Sequence, residues 1–318
     1  MDEGASTHVL TQKLREHAKS RVHTLFLLGQ KAGWDILPRH FYSSIPDIKE
    51  LQGTERWKEP CSMAGVAGAD VDAQMRFLRE CCPKHLYQRL RQGGIHEYAC
   101  RVNGTPGFGP IESDFLFCFV ATKRPAKIVQ IGAGVSTAVI LLAAEEAGYH
   151  PEIICIDPIP TTYLVQQSRE GSITLLKEKA QDTDLNVLTD LNNGDLLFID
   201  SSHAVKPGSE VNRIILEILP RLKSGGWVHF HDIYFPYDYP SSVLTTLFFA
   251  SESTLLHAFL IHNRRYAIAV SLSMLHHACA EDMQLVLPNY QPVPTTHGLY
   301  PPQKAQGHFP SSIYLSVQ

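Results

Sequence analysis

From Lys127 onward, short apolar runs alternate with helical segments, and this alternation constrains the fold more than any other feature of the chain. KIVQI is followed by a helical stretch over Ser136–Gly148, and EIICID by one over Thr161–Arg169. SITLLKEKA comes next, then DLLFID with Ser209–Leu222, then WVHFHD ending at Asp232. Continuous apolar runs are how parallel strands buried on both faces read, and their alternation with helices implies βαβ units. Crossovers in such a sheet are right-handed. After a further helix from Ser241 to about His257, AFLIHN and YAIAVSLS are separated only by an Arg-Arg turn. A parallel return needs a dozen residues or more, so these two runs read as an antiparallel hairpin. The predicted core is α/β, with five parallel strands ending in a hairpin that carries one antiparallel strand.

The rest of the chain reads as extensions. Thr11–Gly33 has Leu14, Ala18, Val22 and Leu25 near one helical face, and Phe41–Leu51 reads as a connecting arm. Asp70–Arg91 reads as helix broken at Pro83, Asn103–Gly109 as a loop, and Glu112–Thr122 as helix again. From Leu287 the chain is rich in proline and reads as an arm over the surface. The expected organisation is an N-terminal helical extension and arm or lid over 1–110, a core over 111–275 and a tail over 276–318. Those extensions can serve as a substrate lid or as a homo-oligomer contact, and the sequence does not choose.

Composition excludes several classes. With 44% apolar and 19% charged residues, the 318-residue chain reads as an ordinary soluble protein. A net charge of -4 and the lack of a Lys/Arg run give no basic face for nucleic acid or an anionic membrane. The N-terminus lacks the apolar stretch of a signal peptide, and no run is long enough to span a bilayer. Seven scattered cysteines without a CxxC pair suit a reducing, cytoplasmic setting.

The turn after KIVQI holds Gly132, Ala133 and Gly134. Glycine permits tight turning and close approach of a ligand to the backbone, and the helix that follows presents free N–H groups. Ser136 and Thr137 stand there as caps or ligand donors. Asp157 ends the second strand, where a carboxylate can accept hydrogen bonds from two ribose hydroxyls. Together these features point to a nucleoside site over the carboxyl ends of the strands. A dinucleotide fingerprint wants a third glycine where Thr137 stands, which speaks against NAD(P). Five parallel strands plus a terminal hairpin is the layout of class I S-adenosylmethionine (SAM)-dependent methyltransferases.

FYSSIPD, NGTPGFGPIESD, VQIGAGVSTA, DLLFIDSSHAVKPGSEVN, LPRLKSGGWVHFHDIYFPYDYP and LLHAFLIHN resemble a bacterial class I family of the "methyltransferase 24" type, over roughly Phe41–Leu275. The resemblance implies a Rossmann-like, doubly wound sheet of seven strands in the order 3-2-1-4-5-7-6, with the last strand antiparallel, and SAM as cofactor. It implies no particular acceptor. It also implies that Tyr98, Asn103 and Phe108 approach SAM, that Gln181 lies beside the adenine, and that Asp200 belongs to the cofactor site. Gln130 stands where the family more often carries an acid, which weakens one contact to the methionine end of SAM.

Two polar clusters end the fourth and fifth strands: Asp200, Ser201, Ser202 and His203, then His229, His231 and Asp232. Buried polar groups there need a partner or a role. His203 is the candidate general base for a hydroxyl acceptor, with His231 sharing or orienting the proton and Asp232 beside them. His229, two residues deeper, is expected to bond within the core. Catechol-type O-methyltransferases place acidic metal ligands where Asp200 and Asp232 stand, and His203 can add a nitrogen. Such a set would hold a divalent ion, with oxygen favouring Mg and nitrogen favouring Zn, Mn or Fe. Ile233 departs from that pattern, which has an amide at this position. The aromatic run Ile233–Pro240 either walls an apolar substrate pocket or packs on the core. The expected function is methyl transfer to a small molecule, at oxygen first and at carbon or nitrogen otherwise. An NAD(P)-dependent oxidoreductase and a non-catalytic SAM-binding scaffold are the alternatives.

Overall fold

The structure, a computed structural model, describes residues 19–43, 45–246, 248–293 and 307–318. The described residues up to Leu51 form one compact unit and those from Gln52 another. In the first, a helix runs through 19–31 and a short one spans Ile48–Gln52. The earlier part of the helix expected from Thr11 lies outside the described residues.

The second unit is built on a seven-stranded sheet of order β3-β2-β1-β4-β5-β7-β6. The strands are β1 Lys127–Ile131, β2 Glu152–Ile156, β3 Thr174–Leu176, β4 Leu196–Ile199, β5 Trp227–Phe230, β6 Tyr266–Ser271 and β7 Ile313–Val317. Pairs among the first five are parallel, whereas β7 runs antiparallel to both β5 and β6. Side chains alternate strictly between two cores, as a period of two requires. Ile128, Cys155, Leu196 and Phe198 face one, packed with the helices Val71–Cys81, Pro110–Lys123 and Val135–Glu146. Val129, Ile131, Ile154, Leu197 and Ile199 face the other, with Ile214, Ile218, Leu256 and Leu260. Being buried on both faces is why these strands lack a polar alternation.

The expected hairpin is corrected by the structure. AFLIHN is not a strand: Ala258–Leu260 finish the helix Glu252–Leu260, and Ile261 makes only an isolated antiparallel bridge to Val66. Leu256 and Leu260, one helical turn apart, are both fully buried, so the run serves helix packing. The strand that separates β5 from β6 comes instead from the last residues of the chain, IYLSV. The proline-rich segment read as a surface arm therefore returns to the sheet at its end, after the helix Leu272–Val286.

Elsewhere the local chemistry is direct. Asp70 caps the helix Val71–Cys81 by accepting the Ala73 N–H at 2.7 Å, and Pro83 precedes Lys84–Arg91. A helix at Ile95–Asn103, absent from the sequence reading, lies between Gly94 and Gly104, both left-handed.

Candidate active site

The strand register builds the site. Ile131 pairs with both Ile156 and Ile199, and Ile199 with Phe230. The next residue on each strand, Gly132, Asp157, Asp200 or His231, therefore emerges along one carboxyl edge of the sheet. The ladder continues through these residues: Gly132 N donates to Ile156 O at 3.0 Å, Asp200 N to Ile131 O at 2.8 Å and His231 N to Ile199 O at 2.9 Å. Strand order reverses between β1 and β4, the place where open α/β sheets leave a crevice.

Gly132 has φ +82°, and a Cβ there would collide with the Asp200 carbonyl, so glycine is required at this turn. Ala133 N donates to Asp157 Oδ2 at 3.3 Å and Ile159 N to Asp157 Oδ1 at 2.8 Å. The Asp157 carboxylate is thus held by backbone donors, with acceptor capacity left over. Thr137 Oγ1 accepts the Gly134 N–H at 3.1 Å and donates to Gln130 Oε1 at 2.8 Å. Gln130 Nε2 donates to Ser136 Oγ at 3.2 Å. Gln130, Ser136 and Thr137 are all buried. Gln130 therefore acts as an internal brace for the turn, and the Thr137 hydroxyl is spent on capping and bracing.

Two clefts meet at Asp200. The larger, of about 570 Å³, is lined by Gly132, Ile156, Asp157, Ala180, Gln181 and Asp200 among others, with Lys179, Lys206 and Glu210 at its borders. The smaller, of about 170 Å³, is lined by Asn103, Thr105, Phe108, Ala133, Gly134, Ser136, Thr161 and Asp200. Asn103 is fixed there by Thr161 Oγ1, which donates to its Oδ1 at 2.9 Å. The Phe108 ring lies 5.0 Å from the His231 ring, centroid to centroid. Tyr98 lines neither cleft; its ring lies under the Arg101 guanidinium at 5.6 Å.

The two polar clusters converge. His203 Nε2 lies 3.5 Å from Asp200 Oδ1 and 3.7 Å from Asp232 Oδ2. His231 Nδ1 lies 3.2 Å from Asp200 Oδ1 and 3.7 Å from Asp232 Oδ1. On its other side, His203 Nδ1 meets Glu252 Oε2 at 2.7 Å. His203 and Asp232 both adopt left-handed backbone, φ 57° and 55°, a conformation uncommon for residues other than glycine. Ser311, just before β7, donates its hydroxyl to Asp232 Oδ1 at 3.1 Å and its backbone N–H to Glu112 Oε1 at 2.9 Å. His229 sits apart in the core, stacked on Phe198 with centroids 4.1 Å apart and 2.9 Å from the Ser312 hydroxyl. Burial, followed by the His231 charge, holds it neutral.

Electrostatics at the corner favour cations. Burial alone would push His203 down, but its contacts with Asp200 and Glu252 and the Asp232 charge outweigh this and raise its pKa to about 10. For His231, burial is likewise outweighed, chiefly by Asp200, and its pKa is raised to about 9. Burial would raise Asp200, yet the two imidazoles hold it far below the usual carboxylate range. Glu252 is raised, because burial exceeds the pull of His203. A neutral His203 ready to accept a proton at cellular pH, as the sequence suggested, is thus not the resting state: three carboxylates surround it.

Glu252, Glu112 and Ser311 are the participants that sequence reading missed. Glu252 opens the helix Glu252–Leu260, 49 residues beyond His203, and is fully buried. A carboxylate within an otherwise apolar helix, SESTLLHAFL, was the available signal.

Residues 129–233 match the family model described as a methyltransferase domain. A curated protein of Archaeoglobus fulgidus, described only as uncharacterized, is 26% identical over 194 residues, which is 56% of this chain and 82% of that protein. Among solved structures, a methyltransferase from Podospora anserina bound to S-adenosylhomocysteine (SAH) aligns at 14% identity over 73% of this chain and 92% of its own, with a TM-score of 0.36. A plantazolicin methyltransferase, in complex with SAH and a triazolic desmethyl analogue of plantazolicin, aligns at 11% identity over 86% and 99%, with a TM-score of 0.39. At such scores these two likenesses carry no functional weight. The family match, by contrast, spans the glycine turn, Asp157 and both polar clusters, and no helix among the described residues is long and apolar enough to cross a membrane. That match, running from β1 to just past β5, is to a methyltransferase domain, and the observed sheet order is the one expected of class I SAM-dependent methyltransferases.

Proposed function

We propose that this protein transfers the methyl group of SAM to a hydroxyl oxygen of a small-molecule acceptor. The observation that carries the reading is the clustering of His203, His231 and Asp232 behind Asp200, the residue that lines both clefts. SAM supplies an electrophilic methyl on a positively charged sulfur. The larger cleft suits the adenosine: Asp157 keeps acceptor sites for ribose hydroxyls, Gln181 offers an amide, and Ile156 and Ala180 offer apolar surface. The smaller cleft suits the methionine end, with Gly134, Asn103 and Ser136 around it and Phe108 closing the side towards His231.

A hydroxyl nucleophile must lose a proton, and positioned bases typically contribute about 10²–10⁴-fold. His203 and His231 are imidazolium in the free protein, so one must first be discharged. A cation bound where the clefts meet competes for Asp200. A positive charge held there would repel both imidazoliums and lower their pKa values. That shift brings His203 and His231 towards the range in which a general base works. Glu252 holds Nδ1 of His203, so the proton leaves from, and returns to, Nε2, the nitrogen that faces Asp200 and Asp232.

The same side chains support a second version. Ligand atoms of Asp200, His203 and His231 all lie within 4.8 Å of one another, and Asp232 adds a carboxylate. Two imidazoles and two carboxylates suit Zn, Mn or Fe better than Mg. Such an ion would supply Lewis-acid activation of the acceptor oxygen in place of an imidazole base.

The test is calorimetric binding of SAM and SAH, followed by SAH formation with a panel of hydroxyl-bearing acceptors. We expect both ligands to bind, and His203→Gln to abolish turnover while keeping SAM affinity. Absence of binding by either ligand overturns the reading, and turnover that survives exhaustive chelation removes the metal version.

A further inference from the structure

We propose a second metal site, independent of the methyl-transfer corner, in which Cys61, Asp238 and His257 bind a single zinc ion. The three side chains come from separate segments: the stretch before the helix Val71–Cys81, the loop after β5 and the helix Glu252–Leu260. One ligand atom from each lies within 4.8 Å of the other two. His257 is 8% exposed, and its Nε2 is buried without a hydrogen-bond partner. A buried polar atom left unpaired is costly, and an imidazole nitrogen without a hydrogen-bond partner is free to serve as a metal ligand. Thiol, carboxylate and imidazole form a borderline set of S, O and N donors, which zinc accepts at a tetrahedral centre with water in the fourth position.

A hydrolytic Cys-His-Asp arrangement fits less well. Such chemistry needs the thiol activated by the imidazole. Here the Cys61 thiol hydrogen-bonds to the Asp238 carboxylate, which does not activate it. Zinc reverses that logic. The thiol proton goes to solvent as the S–Zn bond forms, and the ion offsets the carboxylate charge.

Loading would matter to the first site through connectivity. The loop that carries Asp238 begins immediately after Asp232, and the helix that carries His257 begins with Glu252, the residue on His203 Nδ1. Cys61 N already donates to Pro236 O at 2.7 Å, and Tyr234 N to Ser253 Oγ at 2.9 Å. An ion on Cys61, Asp238 and His257 would staple together the two elements that supply Asp232 and Glu252.

The experiment uses the full chain, reduced and stripped with chelator, and titrates it with Co²⁺ as a spectroscopic substitute for zinc and then with Zn²⁺. We expect a thiolate-to-cobalt charge-transfer absorption that Zn²⁺ abolishes, because the Asp200 corner holds no sulfur and cannot produce it. Cys61→Ser should lose the band. Asp238→Asn, which retains the thiol and much of the shape, should weaken zinc affinity by at least the roughly 10–100-fold typical of outer-shell losses. A melting temperature raised by Zn²⁺ in the parent and unmoved in His257→Gln is the second expected readout. Absence of the band, or a band of equal intensity in Cys61→Ser, overturns the site. Neither result depends on SAM binding, so the proposal can fail while the methyltransferase reading stands.

Discussion

Replacing Glu252 with Gln tests the electrostatic account of the corner most directly. The amide oxygen can still accept from His203 Nδ1, so shape and hydrogen bond are kept and only the charge is lost. That carboxylate lies 2.7 Å from the ring nitrogen, and both groups are buried. A hydrogen bond to a charged group contributes about 1.5–3 kcal/mol, which corresponds to about one to two pKa units. His203 should therefore titrate roughly one to two units lower in the variant than its parental value of about 10. Asp200 and Asp232 remain, so the ring should not return to an unperturbed value.

The sign carries over to stability. The folded pKa of His203 lies above its ordinary value of 6.5, so the charged pairing stabilises the fold fully below about pH 6.5. This contribution drains away as pH rises through the folded pKa of about 10. Glu252→Gln should cost about 1.5–3 kcal/mol near neutrality, and the gap from the parent should narrow as pH rises through His203's titration. The assay is a long-range ¹H–¹⁵N imidazole titration, with His203→Gln to assign the signal, alongside denaturant melts across the same pH range. A parental His203 that titrates near 6.5, or a variant whose His203 does not move, refutes the reasoning.

Three further outcomes are expected. Gly132→Ala should destabilise the protein by at least about 2 kcal/mol, combining left-handed strain of about 1–2 kcal/mol with overpacking of about 1–3 kcal/mol; an unchanged thermal melt would contradict the close approach to the Asp200 carbonyl. Asp157→Ala should weaken SAM and SAH binding roughly tenfold or more, the loss of at least one charged hydrogen bond, with circular dichroism unchanged; equal affinities would remove Asp157 from the ribose contact. At about pH 8, one unit below the lower of the two pKa values, both imidazoles hold most of their protons, and binding of cationic SAM should release protons that neutral SAH does not; calorimetry in buffers of different ionisation enthalpy reads the difference, and equal release would show that the sulfonium lies far from this corner.

How much of this was legible in sequence follows from which interactions are local. Strands β1 to β5, the glycine turn and the two polar strand ends could be read because period and punctuation are local properties. Once the order of strands is assigned, parallel register brings Asp157, Asp200 and His231 to one edge with no further information. YAIAVSLS was read as a strand and is β6, but the strand that pairs with it could not be read the same way. AFLIHN is equally apolar as a strand or as the last turn of a helix, and Leu256 with Leu260 decides for the helix only once the second core is known to lie beneath them. Thr137 also had two readings, ligand donor or cap; in the structure its hydroxyl accepts from Gly134 N–H and donates to Gln130 Oε1.

The larger miss is the C-terminus, and it shows what a proline-rich segment conceals. Nothing in the spacing of IYLSV, separated from β6 by 41 residues, says that it enters the sheet between β5 and β6. Yet its entry puts Ser311 on Asp232 and on Glu112, and Ser312 on His229. All three of those groups are buried or half-buried polar residues that would otherwise need partners. Left unpaired, Asp232 could turn away from His203, and its left-handed backbone would have less to hold it. The last strand therefore does more than close a sheet: Ser311, which leads into it, fixes the Asp232 carboxylate beside His203 and His231. The residues at 229 and 232 read as an isolated strand end in the sequence because the serine side chains that answer to them lie some eighty residues further on.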